Sequence, residues 1–233
     1  MNTGVNTGGV QISRWQTFAD PLELQRAATR IVLESAQQAI TERGAFRCVL
    51  AGGNTPRVLY RSLRTAVADW RAWIIYFGDE RCAPAADPSR NSRMASDEWL
   101  DHVAIPCRQI YAIPAELGPE PAAASYANTL AGVGTFDLVI LGLGEDGHTA
   151  SLFPGATWEG STTWPAAIPV HDAPKPPPER VSLSPARLSD ALKVVYLVVG
   201  ADKRDAVAAW RAGAALPASR ICPPAGVDIL LHL

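Results

Sequence analysis

Four stretches of this chain are apolar along almost their whole length, and a glycine directly follows each of them. They are residues 46–51, 73–77, 136–141 and 194–199. Segments with apolar residues at helical spacing separate them. Strands that are apolar on both faces are typical of a mostly parallel sheet with helices packed on both faces. The pattern therefore predicts an α/β fold of this kind.

Capping residues mark where the first helices begin and end. Asp20 and Gly44 are predicted to cap a helix over residues 21–43, and Thr55 is predicted to cap the next helix. Residues 155–180 give no periodic signal. Further elements are predicted as helices near 94–103, 122–131, 188–192 and 203–212, and as strands near 110–113, 181–183 and 227–233.

Length and charge limit the class of protein. A chain of 233 residues is expected to form a single domain over residues 1–233, with residues 1–10 flexible because of their Gly, Asn and Thr content. The net charge of -2 argues against nucleic-acid and anionic-membrane partners. No apolar run approaches the roughly 20 residues of a membrane span, and the N-terminus has no signal-peptide pattern.

The cysteines and histidines form no metal-binding pattern. No C-x-x-C pair and no H-E-x-x-H motif occurs, so neither a metal nor a cofactor is expected. Together with the missing signal peptide, this predicts a reduced, soluble, cytoplasmic protein. The dispersed cysteines are Cys48, Cys82, Cys107 and Cys222.

The first glycine turn has the features of an anion site. Gly52, Gly53, Asn54 and Thr55 lie between a predicted strand and a predicted helix. Two glycines permit a tight turn with exposed N–H groups, and the N-terminus of a helix attracts anions. The turn is therefore predicted to bind phosphate, although it lacks the lysine of a Walker A loop. A plain strand-to-helix turn is the alternative, because glycine turns are common.

The glycine turn after residue 141 presents groups suited to acid–base chemistry. Residues 142–147 match the dinucleotide pattern G-x-G-x-x-G, but they come late in the chain and no acidic residue ends the following strand. The glycines are instead predicted to shape a loop that presents Asp146 and His148. Only His148, among four histidines, follows a strand end inside a glycine turn, so it is the predicted general base.

Charged residues adjoin the other predicted strands. Asp79 and Arg81 follow the second apolar strand, where they form either a solvated turn or a group that orients substrate and tunes His148. Lys203 follows the strand of residues 194–199. Lys203 and Arg180 are each predicted either to attract an anion or to be ordinary surface charges.

These turns, in this order, resemble the 6-phosphogluconolactonase family. The family pattern has G-G-x-T-P, then G-D-E-R, then G-x-G-x-D-G-H-T-A-S-L-F-P-G, which residues 142–155 match nearly letter for letter. Residues 175–184, 200–203 and 216–221 extend the resemblance over nearly the whole chain. It implies the Rossmann-like fold shared by glucosamine-6-phosphate deaminase (NagB), ribose-5-phosphate isomerase (RpiA) and CoA transferases.

One loop departs from the family pattern. The family usually shows a D-x-S-N-Y-type run, whereas residues 87–93 read D-P-S-R-N-S-R. Arg90 and Ser92 replace the usual Ser and Tyr. The departure concerns what this loop contacts rather than the class of reaction.

The resemblance implies hydrolysis of 6-phospho-D-glucono-1,5-lactone in the oxidative pentose phosphate pathway, by a monomer or weak homodimer. The substrate phosphate is expected on residues 52–55, with Lys203 and Arg180 as counter-charges. His148 is expected to activate water. The supporting residues are Asp79 or Asp146, to hold the imidazole, and Arg81, to stabilise the oxyanion.

Two other functions are alternatives. Glucosamine-6-phosphate deaminase shares the phosphate turn and the G-E-D-G-H turn, but its motif continues into F-N-E-P where this chain has T-A-S-L-F-P. A non-catalytic sugar-phosphate sensor would not need its base. The presence of Asp79, Arg81 and His148 argues against the sensor.

Overall fold

The computed structural model describes residues 11–160 and 163–233. These residues form ten strands and six α-helices. The strands are β1 Ser13–Thr17, β2 Phe46–Leu50, β3 Trp73–Phe77, β4 Asp79–Arg81, β5 Ile110–Tyr111, β6 Leu138–Gly142, β7 Ala167–Val170, β8 Arg180–Leu183, β9 Val194–Val199 and β10 Val227–His232. The helices are α1 Pro21–Arg43, α2 Asn54–Leu63, α3 Asn91–Glu98, α4 Pro119–Leu130, α5 Pro185–Ser189 and α6 Arg204–Arg211.

Seven strands form one parallel sheet in the order β1-β10-β9-β6-β2-β3-β5. The chain runs outward from β2 through β3 to β5, and then returns to place β6 on the other side of β2. The strand order therefore reverses between β2 and β6. In open α/β sheets this reversal creates a crevice at the carboxyl ends of the strands, where ligands bind.

Helices cover both faces of the sheet, as the sequence predicts. In β9, Leu197 and Val199 share a cavity lining with residues of α1 and α2. The neighbouring residue Tyr196 points to the opposite face, where its ring packs edge-on against Trp210 of α6, with 4.9 Å between the ring centroids. Because successive strand residues point to opposite faces, α1 and α2 cover one face and α6 covers the other. None of the described helices is long and apolar enough to span a bilayer.

The first helix has the predicted ends, and the second does not. The side chain of Asp20 accepts from the backbone N–H of Glu23, and Gly44 has φ 74 at the C-cap. The prediction of Thr55 as the cap of α2 is wrong, because the helix begins at Asn54 and Gly53 is its N-cap. Gly53 has φ 97, a conformation that glycine adopts without strain, so the helix begins two residues earlier than expected.

A second, antiparallel sheet of three strands in the order β4-β8-β7 was not expected. Asp79 to Arg81 form strand β4 rather than a solvated turn, because they pair with β8. Strand β7 lies within the stretch that has no periodic signal. It contains Pro169, which an edge strand tolerates because one side of its backbone is unpaired.

Other predicted boundaries shift by a few residues. The helix predicted near 94–103 is α3, followed by a short 3-10 turn at Leu100–His102. The helix predicted from 203 is α6, preceded by a 3-10 turn at Ala201–Lys203. The predicted single domain stays a prediction, and the predicted flexibility of residues 1–10 lies outside the described residues.

The loop that departs from the family pattern packs around a buried carboxylate. Glu80 is fully buried and accepts from the backbone N–H groups of Arg81 at 2.9 Å and Asn91 at 2.7 Å. Its other oxygen accepts from the backbone N–H of Ser92 at 2.8 Å and the Ser92 hydroxyl at 2.6 Å, and the Arg90 guanidinium lies 3.4 Å away. Glu80, in strand β4, therefore caps the N-terminus of α3, and Arg90 and Ser92 of the departing loop are among its partners.

We predict that Glu80→Ala lowers the free energy of unfolding by about 3 kcal/mol, because it leaves a buried guanidinium without this partner. Denaturant unfolding measures the loss. Glu116→Ala is the matched control, since Glu116 also binds Arg90, at 2.7 Å, but is 43% exposed. It should cost less than about 1 kcal/mol. Equal losses in the two variants would contradict this account of α3.

Candidate active site

The four glycine turns of the sequence lie side by side in the structure. Strands β9, β6, β2 and β3 are neighbours in the parallel sheet, so the turns that follow them meet at one edge. The edge includes the reversal between β2 and β6. It therefore brings together the predicted phosphate turn and the turn that carries His148.

The turn after β6 is closed by its own backbone. The N–H of Gly144 donates to the carbonyl of His148 at 2.8 Å, and the N–H of Gly147 donates to the carbonyl of Gly144 at 3.1 Å. The hydroxyl of Thr149 donates to the carbonyl of Gly142 at 2.9 Å. The position of His148 is consequently fixed relative to the end of the strand.

Asp146 holds His148 in one orientation. Its Oδ1 accepts from the backbone N–H of His148 at 3.0 Å and lies 2.5 Å from the ring Nδ1. An ionised carboxylate only accepts hydrogen bonds, so the proton of the neutral imidazole belongs on Nδ1. The lone pair is then on Nε2, as a general base requires.

Gly144 makes room for this pair. A Cβ at Gly144 would lie 2.0 Å from Nδ1 of His148 and 2.6 Å from Oδ1 of Asp146. The imidazole also touches the ring of Phe153, with 4.6 Å between the ring centroids. The histidine is therefore confined between a glycine backbone and an aromatic ring.

Two opposing influences set the protonation of His148. Burial lowers its pKa below the ordinary 6.5, and Asp146 works in the opposite direction. For Asp146, burial alone would raise the pKa. The hydrogen bonds and charge of His148 outweigh burial and bring the pKa below 3.8. At neutral pH the site accordingly contains a neutral imidazole beside an ionised carboxylate.

Asp79 lies close to this pair but is held by other residues. One of its oxygens accepts from the hydroxyl of Ser151 at 2.6 Å, and the other accepts from Nδ2 of Asn91 at 2.9 Å. The side chain is buried. The structure thus brings Asp146, rather than Asp79, to the ring nitrogen of His148, while Asp79 connects three segments beneath the site.

Arg81 and Arg180 are paired neighbours on the adjacent strands β4 and β8 of the second sheet. Arg180 is buried, and its Nε and Nη2 donate to the carbonyls of Pro177 at 3.1 Å and Lys175 at 2.7 Å. Burial lowers its pKa, and the charge of Arg81 adds to that effect. Arg81 donates to the carbonyl of Ser89. Both guanidinium groups are therefore anchored to loops that border the site.

The backbone of the predicted phosphate turn packs against the side chain of Asn91. A Cβ at Gly52 would lie 1.9 Å from Oδ1 of Asn91, so only glycine fits here. Asn54 and Thr55 open α2 and line a cavity of about 240 Å³ together with Val199 at the end of β9. The N-terminus of α2 therefore reaches over to the strand that precedes Lys203.

Lys203 forms an ion pair in the described structure. Its Nζ lies 2.9 Å from Oδ2 of Asp202, and Lys203 lowers the pKa of that carboxyl through a hydrogen bond. A second pair, Lys175 with Glu145 at 3.0 Å, lies beside the His148 turn. Two lysines and two carboxylates thus border the site.

Sequence reasoning assigned no role to Ser151, Asn91 or Lys175. Ser151 lies inside the long motif and Asn91 inside the departing loop, but neither spacing nor periodicity indicates that both bind Asp79. Lys175 lies in a proline-rich loop that has no periodic signal. Within residues 11–160 and 163–233, no group of three or more His, Cys, Asp or Glu side chains is placed to hold a metal.

A larger groove, of about 1180 Å³, lies at the opposite end of the sheet. Its lining includes Ser13, Leu192 and Ala225, which lie at or just before the amino ends of β1, β9 and β10. None of the predicted site residues lines it. Size therefore does not identify the site, and the chemistry of the carboxyl edge does.

The parallel sheet with helices on both faces has the α/β fold of the NagB superfamily, and an Asp–His pair and a helix N-terminus lie at its carboxyl edge. Solved structures agree with the fold. A monomeric glucosamine-6-phosphate deaminase of the NagB superfamily superposes with a TM-score of 0.80 at 20% identity, covering 93% of this chain and 96% of that chain. At this identity the likeness shows the fold alone.

The chain belongs to the family described as glucosamine-6-phosphate isomerases/6-phosphogluconolactonase, whose model matches residues 19–230. A 6-phosphogluconolactonase of Synechocystis is 39% identical over 179 residues, 73% of each chain. One of Mycobacterium leprae is 34% identical over 225 residues, 91% of this chain and 90% of that protein. The Trypanosoma brucei 6-phosphogluconolactonase structure has a TM-score of 0.83 at 28% identity, covering 95% of this chain and 96% of that one.

We predict that Gly144→Ala lowers kcat at least a hundredfold, because its Cβ would displace the imidazole from Asp146. Steady-state kinetics measure the loss. Gly134→Ala is the control, since a Cβ there meets nothing within 4 Å. A Gly144→Ala enzyme with the kcat of the wild type would show that this close contact is not needed.

The pH dependence of kcat/KM should report the lowered pKa of His148. A general base must be neutral, so if His148 is the base that the sequence predicts, activity falls as the pH drops through its pKa, and we expect the midpoint below pH 6.5. Asp146→Asn removes the charge that raises the pKa, so the midpoint should move to still lower pH while kcat decreases. A midpoint above pH 6.5 in the wild type, or an upward movement in Asp146→Asn, would contradict this account.

Proposed function

We propose that His148 is the general base in the hydrolysis of 6-phospho-D-glucono-1,5-lactone to 6-phospho-D-gluconate, the second step of the oxidative pentose phosphate pathway. The observation that carries the proposal is the contact between Nδ1 of His148 and Oδ1 of Asp146 at 2.5 Å. It leaves Nε2 with its lone pair in a crevice at the carboxyl edge of the sheet. Membership in the family of named 6-phosphogluconolactonases supports the substrate.

The reaction needs one base that later becomes an acid. Nε2 of His148 takes a proton from water as the water oxygen forms a bond to C1 of the lactone. The tetrahedral intermediate carries its charge on the former carbonyl oxygen. When the bond between C1 and the ring oxygen breaks, the imidazolium returns the proton to the ring oxygen. Such acid–base catalysis accelerates reactions by roughly 10²–10⁴. Asp146 stabilises the imidazolium between these steps.

The phosphate belongs at the other end of the crevice, on residues 52–55. The first turn of α2 offers backbone N–H groups, and Asn54 and Thr55 open the helix. A dianion also needs cations, and Lys203 is a candidate because α2 begins beside the end of β9. Two nitrogens of Arg180 donate to loop carbonyls, so its side chain fixes the loop. Its positive charge then contributes to the potential at the site without direct contact with the phosphate.

Asp79 and Arg81 support the reaction in different ways. Asp79 accepts hydrogen bonds from Ser151 and Asn91. Its negative charge, like that of Asp146, partly offsets the lowering of the His148 pKa by burial. It acts as a positioning residue. Arg81 remains the candidate for stabilising the oxyanion, because a guanidinium donates to developing negative charge.

Deaminase activity has less support. The curated relatives at 34–39% identity are named lactonases, whereas the deaminase neighbour is 20% identical. The net charge of -2 argues against a nucleic-acid partner. The cysteines are dispersed along the chain, so we propose a reducing, cytoplasmic location. We also propose a monomer or a weak homodimer, which light scattering of the purified protein tests.

We predict that His148→Ala lowers kcat/KM for freshly prepared 6-phosphogluconolactone by about 10²–10⁴. A dehydrogenase-coupled assay, corrected for spontaneous hydrolysis, measures the rate. His102→Ala is the matched control, because His102 is exposed and its ring contacts the backbone carbonyl of Asp97, far from the predicted site residues in the sequence. Near wild-type turnover in His148→Ala would remove the base from the mechanism. Ammonia release from glucosamine 6-phosphate by the wild type would instead support the deaminase.

A further inference from the structure

Lys175 carries its charge next to the turn that presents the base. Its Nζ lies 3.0 Å from Oε1 of Glu145, the residue directly before Asp146. Beside burial, the charge of Lys175 lowers the pKa of His148. Together with Lys203, the charge of Lys175 also lowers the pKa of Asp202. The ammonium therefore faces the loops after β6 and after β9.

The backbone of Lys175 is fixed, whereas its ammonium is accessible. Its carbonyl and that of Pro177 accept from the buried guanidinium of Arg180, and the N–H of Ala173 donates to the carbonyl of Pro178 at 3.0 Å. The side chain of Lys175 is 51% exposed. That of its partner Glu145 is 54% exposed. An ion pair this exposed contributes little to stability, so an anion can displace its carboxylate.

We propose that Lys175 is a substrate-binding residue at the C1 end of the crevice, and that Glu145 holds its ammonium until the substrate replaces it. The inference rests on the proposed role of His148. Hydrolysis makes the carbonyl oxygen at C1 anionic in the intermediate and leaves a carboxylate at C1 in the product. An ammonium beside the base stabilises both, since hydrogen bonds between charged groups are stronger than neutral ones.

A different role for the ion pair gives a different pattern. If the ion pair between Lys175 and Glu145 only holds the loop in place, removal of either side chain changes the affinity for the ligand in the same direction. If Glu145 competes with the substrate for the ammonium, the two removals act in opposite directions. The sign of the effect of Glu145→Gln therefore separates binding from fastening.

The test is the affinity for 6-phospho-D-gluconate, measured by titration calorimetry, because it needs no turnover. We expect Lys175→Met to raise Kd about tenfold, as loss of one charged contact does. We expect Glu145→Gln to lower Kd about threefold, and Lys175→Arg to remain within about twofold of the wild type. Lys193→Met is the charge-matched control, since Lys193 directly precedes β9 at the opposite end of the sheet. Its Kd should be unchanged.

A second ligand tests the position along the crevice. D-Glucitol 6-phosphate has the phosphate but no carboxylate at C1, so Lys175→Met should change its Kd less than about twofold. Equal weakening of both ligands would place Lys175 at the phosphate and overturn the C1 assignment. Weaker binding of 6-phospho-D-gluconate in Glu145→Gln would overturn the competition. Because the wild type is assayed for lactone turnover separately, failure of the proposed function is recognised independently.

Discussion

The buried carboxylate of Asp79 is the interaction on which the rest of the site depends. It accepts from Ser151, which follows the His148 turn, and from Asn91, which opens α3. Asn91 in turn lies against Gly52. A buried charge is costly unless hydrogen bonds satisfy it, so Asp79 requires both partners to stay in place. His148 and the predicted phosphate turn are thereby joined through one side chain, although they follow different strands.

Charges of both signs border the crevice in a protein that is nearly neutral overall. Arg81 and Arg180 are anchored by loop carbonyls, while Lys175 and Lys203 are paired with carboxylates. The two kinds of cation suit different tasks. A buried guanidinium with fixed donors maintains a positive potential and shapes loops. A lysine whose partner carboxylate is exposed, as Glu145 and Asp202 are, can exchange one anionic partner for another, which is what binding and release of a phosphosugar acid require.

The sequence was informative where a single segment determines its own structure, and uninformative where distant segments meet. The apolar strands were predictable because burial on both faces leaves no polar alternation, and Asp146 and His148 were predictable because they share one glycine turn. Strand β1 was missed because its sequence S-R-W-Q-T is largely polar at an edge of the sheet. Strand β4 was missed because pairing with β8, about 100 residues later, makes it a strand. The roles of Asn91 and Ser151 depend on their contacts with Asp79, which lies far from Ser151 in the sequence.

The glycines of residues 142–147 show why a short motif does not determine its ligand. Their spacing matches the dinucleotide pattern, in which glycines permit a pyrophosphate to approach the backbone. In this chain the space beside Gly144 is occupied by the imidazole of His148. The space beside Gly147, which has φ 84, is occupied by Leu216, 2.8 Å from where a Cβ would lie. Side chains of the protein itself therefore require both glycines. The same sequence spacing serves here to hold a histidine against the backbone rather than to admit a cofactor.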